Sequence, residues 1–211
     1  MSQPTAKPAS AAPTAELTFT DRLRSLTWVL NPLVEALYKL GVHPNQITLA
    51  GVLGTWGAAV LVAQQHYLHA GLLVLLSTPL DALDGALARR RGEPQALGAF
   101  VDSVTDRYSE LAVFAGLLWV AQTQGDALLA MFTYFAAMGS VLVSYVRARA
   151  QSLGFEAKGG WFSRVERFFV LVLGLLFSQP LIMVIIMALG ANLTALQRIL
   201  YVRRSAKQQQ G

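Results

Sequence analysis

The sequence predicts an all-α integral membrane protein with six transmembrane helices and an N-terminal amphipathic helix at the membrane interface. Of its 211 residues, 54% are hydrophobic and only 14% are charged, whereas a soluble domain carries about a quarter charged residues. The mean hydropathy is +0.46. The apolar residues fall in blocks close to the roughly 20 residues that a helix needs to cross a bilayer.

The first 44 residues precede the apolar blocks. Residues 1–15 are rich in Pro, Ala, Ser and Thr and contain no apolar signal-peptide core, which predicts a disordered tail. Residues 16–44 mix apolar and charged positions at helical spacing. This pattern favours an amphipathic helix in the interface, with Arg22 facing water and Trp28 as an anchor. An ordinary soluble helix is the alternative.

Six apolar segments follow, and together they predict one transmembrane domain, 45–204, followed by a disordered polar tail, 205–211. Pro180 separates the last two segments, because proline interrupts a helix but fits its first turn. If the helix continued through Pro180, the count would be five. The segments are 46–63, 70–90, 97–121, 127–150, 165–178 and 180–200.

The basic residues predict the orientation in the membrane. Residues 64–69, 122–126 and 178–180, which form the connections at one end of the segments, contain no Lys or Arg. All 17 Lys and Arg lie on the opposite side of the bundle from these connections, or near the helix ends that face that opposite side. By the positive-inside rule, both termini and that side face the cytoplasm, as in a multi-pass protein of the cell membrane. The excess of Lys and Arg, 17 against 12 Asp and Glu, is therefore explained by membrane topology and by contact with anionic lipid or phosphate, rather than by binding of nucleic acid.

Four aspartates lie in or beside two of these apolar segments. Asp81 and Asp84 are three residues apart, and Asp102 and Asp106 are four apart, so each pair shares one face of a helix. The intervening "RRRGEP" predicts a short cytoplasmic turn, so the two helices are antiparallel neighbours. Four unpaired anions near hydrocarbon are very costly, which requires that something neutralise them.

Divalent metal ions are the neutralising group that the donor atoms favour. Carboxylate oxygens suit Mg²⁺, Mn²⁺ or Ca²⁺, and two such ions about 4 Å apart can hold phosphate oxygens during an in-line displacement. The sequence has no cysteine and three scattered histidines, which disfavours zinc. Arg89 and Arg107 could neutralise two carboxylates at most. A salt-bridge network and a cation pathway remain alternatives.

Glycines accompany the aspartates. Gly85 follows Asp84 directly and Gly98 precedes Asp102 by four residues, so each leaves room for a bulky ligand beside a carboxylate. Gly51, Gly54 and Gly57 have the spacing of helix-packing glycines instead.

These residues form a pattern that resembles the complete signature of the CDP-alcohol phosphotransferases. The pattern is Asp81-x-x-Asp84-Gly85-x-x-Ala88-Arg89, eight residues, Gly98-x-x-x-Asp102-x-x-x-Asp106. The resemblance implies six transmembrane helices, a homodimer and an active site at the cytoplasmic face. It also implies that an alcohol attacks the lipid-linked phosphorus of a CDP-linked lipid, forms a phosphodiester and releases CMP.

The resemblance also implies roles for individual residues. The metal ligands, for two Mg²⁺ ions or Mn²⁺ instead, would be Asp81, Asp84, Asp102 and Asp106. Asp106 would also be the general base, because a carboxylate near the metals can accept the proton of the acceptor hydroxyl. The residues near the CDP-lipid would be Asp81, Asp84, Gly85, Arg89 and Gly98, with Asn45 and Thr48 from "HPNQIT". For Asn45, helix capping is an equal alternative.

Basic residues near the fourth and sixth segments bear on the acceptor. The connection after "SYVRARA" and the segment end "LQRILYVRR" bring several arginines to the cytoplasmic side, which suits an acceptor that carries its own phosphate. The positive-inside rule alone explains why Arg149, Arg203 and Arg204 lie on the cytoplasmic side. It explains Arg147 and Arg198 less well, because both lie within the ends of apolar helices.

The motifs "DSVTDR", "SYVRARA", "GG…ER" and "LQR" look like the phosphatidylinositol-phosphate synthases of actinobacteria and their archaeal counterparts. This resemblance implies transfer of a phosphatidyl group from CDP-diacylglycerol to inositol 1-phosphate. The residues that it places at the acceptor phosphate are Ser144, Arg147, Arg164, Arg167 and Arg198. The alternatives are a phosphatidylglycerol-phosphate synthase or another member of the family and, from a different class, a divalent-cation transporter.

Overall fold

The structure is a computed structural model that describes residues 27–92, 95–155, 157 and 159–210. Its regular elements are all α-helices, which confirms the all-α prediction for the described residues. The helices are α1 (Thr27–Lys39), α2 (Pro44–Ala63), α3 (Tyr67–Arg91), α4 (Gln95–Gln124), α5 (Ala127–Ser152), α6 (Arg164–Leu176) and α7 (Pro180–Gln210).

Helices α2 to α7 correspond one to one with the six predicted segments. The break near Pro180 is confirmed, because α6 ends at Leu176 and α7 begins at the proline. Within the described ranges, four helices are long and apolar enough to cross a membrane: α2, α3, α5 and α7. Helix α6 has 13 residues, and α4 carries charged residues along its first half. Length and composition therefore support an integral membrane protein with at least these four spans.

The N-terminal prediction falls partly outside the described residues. The tail, 1–15, and the first part of the interfacial region, through residue 26, are not described. Helix α1 covers the second part and packs on the bundle, where its Val34 is buried against Ile47 and Leu83. The guanidinium of Arg90, at the end of α3, lies over the Tyr38 ring of α1 at 4.7 Å. Helix α1 is thus held at the end of α3 that carries the basic cluster.

The C-terminal end differs from the prediction of a disordered tail at 205–211. Helix α7 continues to Gln210. Ala206, Lys207 and the glutamines after them favour helix, and neither proline nor glycine interrupts them. The polar composition that predicted disorder is thus also compatible with the last turns of a long helix.

The bundle packs around one large apolar core. Helix α5 lies along α7, α2 packs against both α3 and α4, and α6 lies between α3 and α7. Phe114, Leu117, Leu175 and Met187 are among its fully buried side chains.

Helices α2 and α3 approach each other at the predicted packing glycines. A Cβ at Gly54 would collide with the Ser77 side chain, and one at Gly57 would contact Leu73. A Cβ at Gly51 would lie 3.5 Å from Asp81. The packing role predicted for these glycines is therefore confirmed, and it brings α2 close to the first aspartate.

Candidate active site

Three of the four aspartates meet where α3 and α4 approach each other. Asp81, Asp102 and Asp106 each offer one carboxylate oxygen, and these oxygens all lie within 4.8 Å of one another. Helix α3 ends at Arg91, and its C-cap residue Gly92 has the left-handed conformation (φ 72°) that terminates a helix. We call these three residues the carboxylate cluster. Its all-oxygen donor set and its compactness fit a hard divalent cation.

Asp84, the fourth aspartate, is buried on α3 one turn after Asp81. Its hydrogen-bond partner lies on α2, outside the carboxylate cluster. Thr48 of α2 donates a hydrogen bond from Oγ1 to Asp84 Oδ2. Asp84 is not part of the carboxylate cluster, although it belongs to the same helix face as Asp81. Thr48 thus contacts the site by its hydrogen bond to Asp84, and the sequence spacing alone does not predict this contact.

Asn45 does not cap α2, contrary to one of the two interpretations of its position. The N-cap is His43, whose Nδ1 accepts from the Asn45 backbone N–H, while Gln46 accepts from the His43 backbone N–H. The Asn45 side chain is exposed at the start of α2. It therefore remains available to a ligand at this end of the bundle.

Arg164 lies against the carboxylate cluster. Its Nη2 donates to Asp81 Oδ2 at 3.1 Å and also bonds Asp106 Oδ1, and its Nη1 lies 3.9 Å from Asp102 Oδ2. Arg164 is the first residue of α6, and a capping box formed by Ser163 and Glu166 fixes this helix end. The sequence places Arg164 at an acceptor phosphate, and its partners among the described residues are the three carboxylates of the cluster.

Arg107 connects the cluster with α5. Its Nη1 lies 3.4 Å from Asp106 Oδ2, and its Nη2 donates to Ser144 Oγ at 2.7 Å. Ser144 is one of the residues predicted at the acceptor phosphate. The carboxylate side and the predicted phosphate side of the site are therefore linked through one side chain.

The residues predicted at the acceptor phosphate line a single cavity. This arginine cavity has a volume of about 240 Å³ and lies between α4, α5, α6 and α7. Arg167 and Arg198 are 3% and 5% exposed, whereas Arg147 is exposed at its edge. The predicted residues in its wall are Ser144, Arg147, Arg164, Arg167 and Arg198.

Arg198 is partly engaged by the backbone. Its Nε donates to Gly159 O at 3.0 Å and its Nη1 donates to Val143 O at 2.8 Å. These bonds fix the loop before α6 and the end of α5 around the cavity. Arg198 therefore shapes the cavity as well as lining it.

A smaller cavity of about 110 Å³ lies on the bundle side of the cluster, between α2, α3, α4 and α6. Asp81 and Asp106 form part of its wall. Arg107, Arg164 and Arg167 line both cavities. The carboxylates and the arginine cavity are thus neighbours that share these three guanidinium groups.

The two glycines beside the aspartates border open space. A Cβ at Gly98 would meet nothing within 4 Å, and one at Gly85 would meet only the Arg89 guanidinium, at 3.5 Å. Arg89 is exposed on α3. The surface next to the cluster is therefore open enough for a ligand larger than a metal ion.

One acidic residue of the site, Glu110, is not among the residues that the sequence predicts there. Glu110 of α4 accepts hydrogen bonds from Arg167 Nε at 2.9 Å and from Ser140 Oγ at 3.1 Å. Its position in the sequence could have indicated this role. Glu110 lies four residues after Asp106, so it continues the series of Asp102 and Asp106 on one helix face.

A carboxylate cluster that fits a divalent cation lies beside an arginine-lined cavity, in a bundle whose longest helices are apolar enough to cross a membrane. Comparison with known proteins identifies the class of this site. Residues 41–196 match the family described as CDP-alcohol phosphatidyltransferase. The chain belongs to this family, and it is therefore an enzyme of phospholipid synthesis. The match decides between the transferase and the cation transporter in favour of the transferase.

Individual relatives carry more specific names. The phosphatidylinositol phosphate synthase of Mycobacteroides abscessus is 36% identical over 186 residues, which cover 84% of each protein. The archaetidylinositol phosphate synthase of Pyrococcus horikoshii is 33% identical over 171 residues, covering 81% of this chain and 88% of the relative. These names agree with the subfamily that the motifs resemble.

Solved structures agree with the sequence relatives. The Mycobacterium tuberculosis phosphatidylinositol phosphate synthase with CDP-DAG bound has a TM-score of 0.76 and 30% identity, covering 81% of this chain and 92% of that one. The same enzyme in complex with manganese and citrate has a TM-score of 0.75 and 28% identity, over 81% of this chain and 87% of that one. The manganese complex of this relative and the carboxylate cluster of this chain thus both indicate a divalent-metal site.

Proposed function

We propose that this enzyme transfers a phosphatidyl group from CDP-diacylglycerol to inositol 1-phosphate and releases CMP. The observation that carries the proposal is the arginine cavity beside the carboxylate cluster. The pyrophosphate of the CDP-lipid would lie at the metal site, and the neighbouring cavity offers guanidinium groups that suit a second phosphate. The inositol-phosphate relatives support the same acceptor.

The four aspartates are the proposed metal ligands. Asp81, Asp84, Asp102 and Asp106 would hold two divalent ions, Mg²⁺ or alternatively Mn²⁺. When bound, such ions offset negative charge on the pyrophosphate. The manganese complex of the M. tuberculosis relative supports this cofactor class.

Asp106 is the proposed general base. It lies in the wall of the smaller cavity and within reach of Arg107 and Arg164, both of which also line the arginine cavity. An acceptor whose phosphate is held by the arginines can therefore present a hydroxyl to the Asp106 carboxylate. That carboxylate accepts the hydroxyl proton as the oxygen attacks the lipid-linked phosphorus, and CMP leaves.

The CDP-lipid would lie along α2, α3 and the start of α4. Asn45 and Thr48 are near the start of α2, and Thr48 orients Asp84 through its hydrogen bond. Arg89 can contribute a bidentate phosphate contact, and Gly85 and Gly98 leave the adjacent space open.

The proposed arrangement in the membrane has six transmembrane helices, with both termini and the active site on the cytoplasmic side of the cell membrane. The distribution of Lys and Arg supports this orientation. Residues 45–204 would form the transmembrane domain, with 16–44 as the interfacial region before it. A homodimer is the proposed assembly, on the ground of the family resemblance.

Measurement of CMP release tests the proposed function. The purified protein, with Mg²⁺ and CDP-diacylglycerol, is offered inositol 1-phosphate, glycerol 3-phosphate or free inositol. We expect the highest kcat/KM with inositol 1-phosphate. Preference for glycerol 3-phosphate would retain the metal chemistry but replace the acceptor, and preference for free inositol would remove the phosphate-binding role of the cavity.

Two arginines on α5 provide a matched pair for the same assay. Arg147 lines the arginine cavity, whereas Arg149 is exposed nearby and bonds Ser152 at 3.5 Å. Arg147→Ala is expected to raise the KM for inositol 1-phosphate about tenfold, since a hydrogen bond to a charged group contributes about 1.5–3 kcal/mol. Arg149→Ala is expected to leave this KM unchanged. Equal effects of both substitutions would contradict the assignment of the cavity.

A further inference from the structure

Arg167 is buried between α4, α5 and α6 and is held there by Glu110. The Arg167 side chain is 3% exposed, and its Nε lies 2.9 Å from Glu110 Oε1. The same oxygen accepts a hydrogen bond from Ser140 Oγ of α5, whose residue is 1% exposed. Glu110 thus joins three helices through one carboxylate oxygen.

The contact with Glu110 leaves the far end of Arg167 available. Among the residues that the structure describes, Nη1 of Arg167 is buried without a hydrogen-bond partner. A buried polar group of this kind is unfavourable unless something pairs with it. Arg167 also lines the arginine cavity, where the proposed acceptor phosphate would lie.

We propose that Glu110 is a positioning residue that orients Arg167 for the acceptor phosphate; this inference rests on the proposed function. By accepting from Nε, Glu110 fixes the plane of the guanidinium and leaves its terminal nitrogens for phosphate oxygens. Ser140 fixes Glu110 in turn. Glu110 also supplies the negative charge that a buried guanidinium requires in a bundle of apolar helices.

Two other roles for Glu110 make different predictions. Glu110 could be a further metal ligand, because it continues the face of Asp102 and Asp106. It could also be a purely structural link between α4, α5 and α6. A metal ligand affects metal affinity, a structural link affects stability and all substrates alike, and a positioning residue affects the phosphate-bearing acceptor selectively.

The test is Glu110→Gln in the full chain. Glutamine keeps the size of the side chain but removes the charge that orients Arg167. We expect the KM for inositol 1-phosphate to rise at least tenfold, while the KM for CDP-diacylglycerol and the Mn²⁺ affinity change less than twofold. Inorganic phosphate, as a competitive inhibitor against the acceptor, is expected to bind the variant correspondingly less tightly.

Glu35→Gln is the matched control. Glu35 on α1 also pairs with an arginine, Arg90, at 3.4 Å, but neither residue lines the arginine cavity. This variant is expected to keep the wild-type KM for both substrates. An equal rise in the acceptor KM in both variants would show a general effect of losing an ion pair, and it would overturn the inference.

The remaining outcomes are also decisive. Unchanged acceptor KM and phosphate inhibition in Glu110→Gln, or a parallel loss of donor, acceptor and metal binding, would overturn the positioning role. If Glu110→Gln does not fold, Glu110→Asp, which keeps the charge but retracts it, is measured in the same way against the same criteria. Failure of the wild-type enzyme to use a phosphorylated acceptor would instead refute the proposed function.

Discussion

Removal of the Arg164 side chain should strengthen metal binding at the carboxylate cluster. Arg164 contacts Asp81 at 3.1 Å, bonds Asp106 directly and lies 3.9 Å from Asp102. A divalent ion at the same carboxylates must displace these contacts or share the oxygens with a nearby positive charge. Arg164→Ala removes both obstacles.

The contacts set the size of the effect. Two unit charges 4 Å apart interact by about 4 kcal/mol at an effective dielectric constant of about 20. The Arg164 side chain is 48% exposed, so solvent screening reduces each close ion pair to about 1 kcal/mol at most. The two close pairs therefore oppose the metal by up to about 2 kcal/mol, and the substitution should tighten binding by a factor of up to about 30.

Titration calorimetry with Mn²⁺ on the detergent-solubilised protein measures this affinity. Arg149→Ala is the control, because Arg149 is an exposed arginine outside the cluster. The same Arg164→Ala protein should require more acceptor for turnover, since Arg164 also lines the arginine cavity. Mn²⁺ affinity that is unchanged or weaker in Arg164→Ala would refute the competition between this guanidinium and the metal.

Two further predictions concern neighbouring contacts. Thr48→Val removes the hydrogen bond to Asp84, so kcat/KM for CDP-diacylglycerol should fall about tenfold, as expected for a bond to a charged group. Thr123→Val, which loses only bonds to its own helix at Trp119 and Val120, should not change this kcat/KM, and equal losses would contradict the role of Thr48. Gly54→Ala places a Cβ against Ser77, so the unfolding temperature should fall, with overpacking costing about 1–3 kcal/mol. Adding Ser77→Ala should restore most of that stability, and its failure to do so would contradict the proposed clash.

The helices were largely predictable because each leaves a local signal. Apolar blocks of membrane-spanning length mark α2, α3, α5 and α7, and Pro180 marks the start of α7. The end of α7 was not predicted, since polar glutamines are compatible with either a helix or a disordered tail. The charges of α4 and the shortness of α6 also show why composition alone supports fewer than six spans.

The site was predictable where its residues repeat along one helix face. The spacing predicts that Asp81, Asp84, Asp102 and Asp106 lie together, because few residues separate the two helices that carry them, and the structure brings three of them into the carboxylate cluster. The contact of Arg164 with these residues was not predicted, since it depends on how α6 packs against α3 and α4. Glu110 was missed for a similar reason, because its partner Arg167 lies 57 positions further along the chain.

The most direct test of the proposed reaction follows the acceptor phosphorus into lipid. The enzyme is incubated with Mg²⁺, CDP-diacylglycerol and inositol 1-phosphate labelled with ³²P, and the organic phase is analysed together with the CMP released. We expect one labelled lipid per CMP from the wild-type enzyme and none from Asp106→Asn, which should still bind the nucleotide. CMP release without label in the lipid would refute transfer to the phosphorylated acceptor, and full turnover by Asp106→Asn would remove this carboxylate from the role of general base.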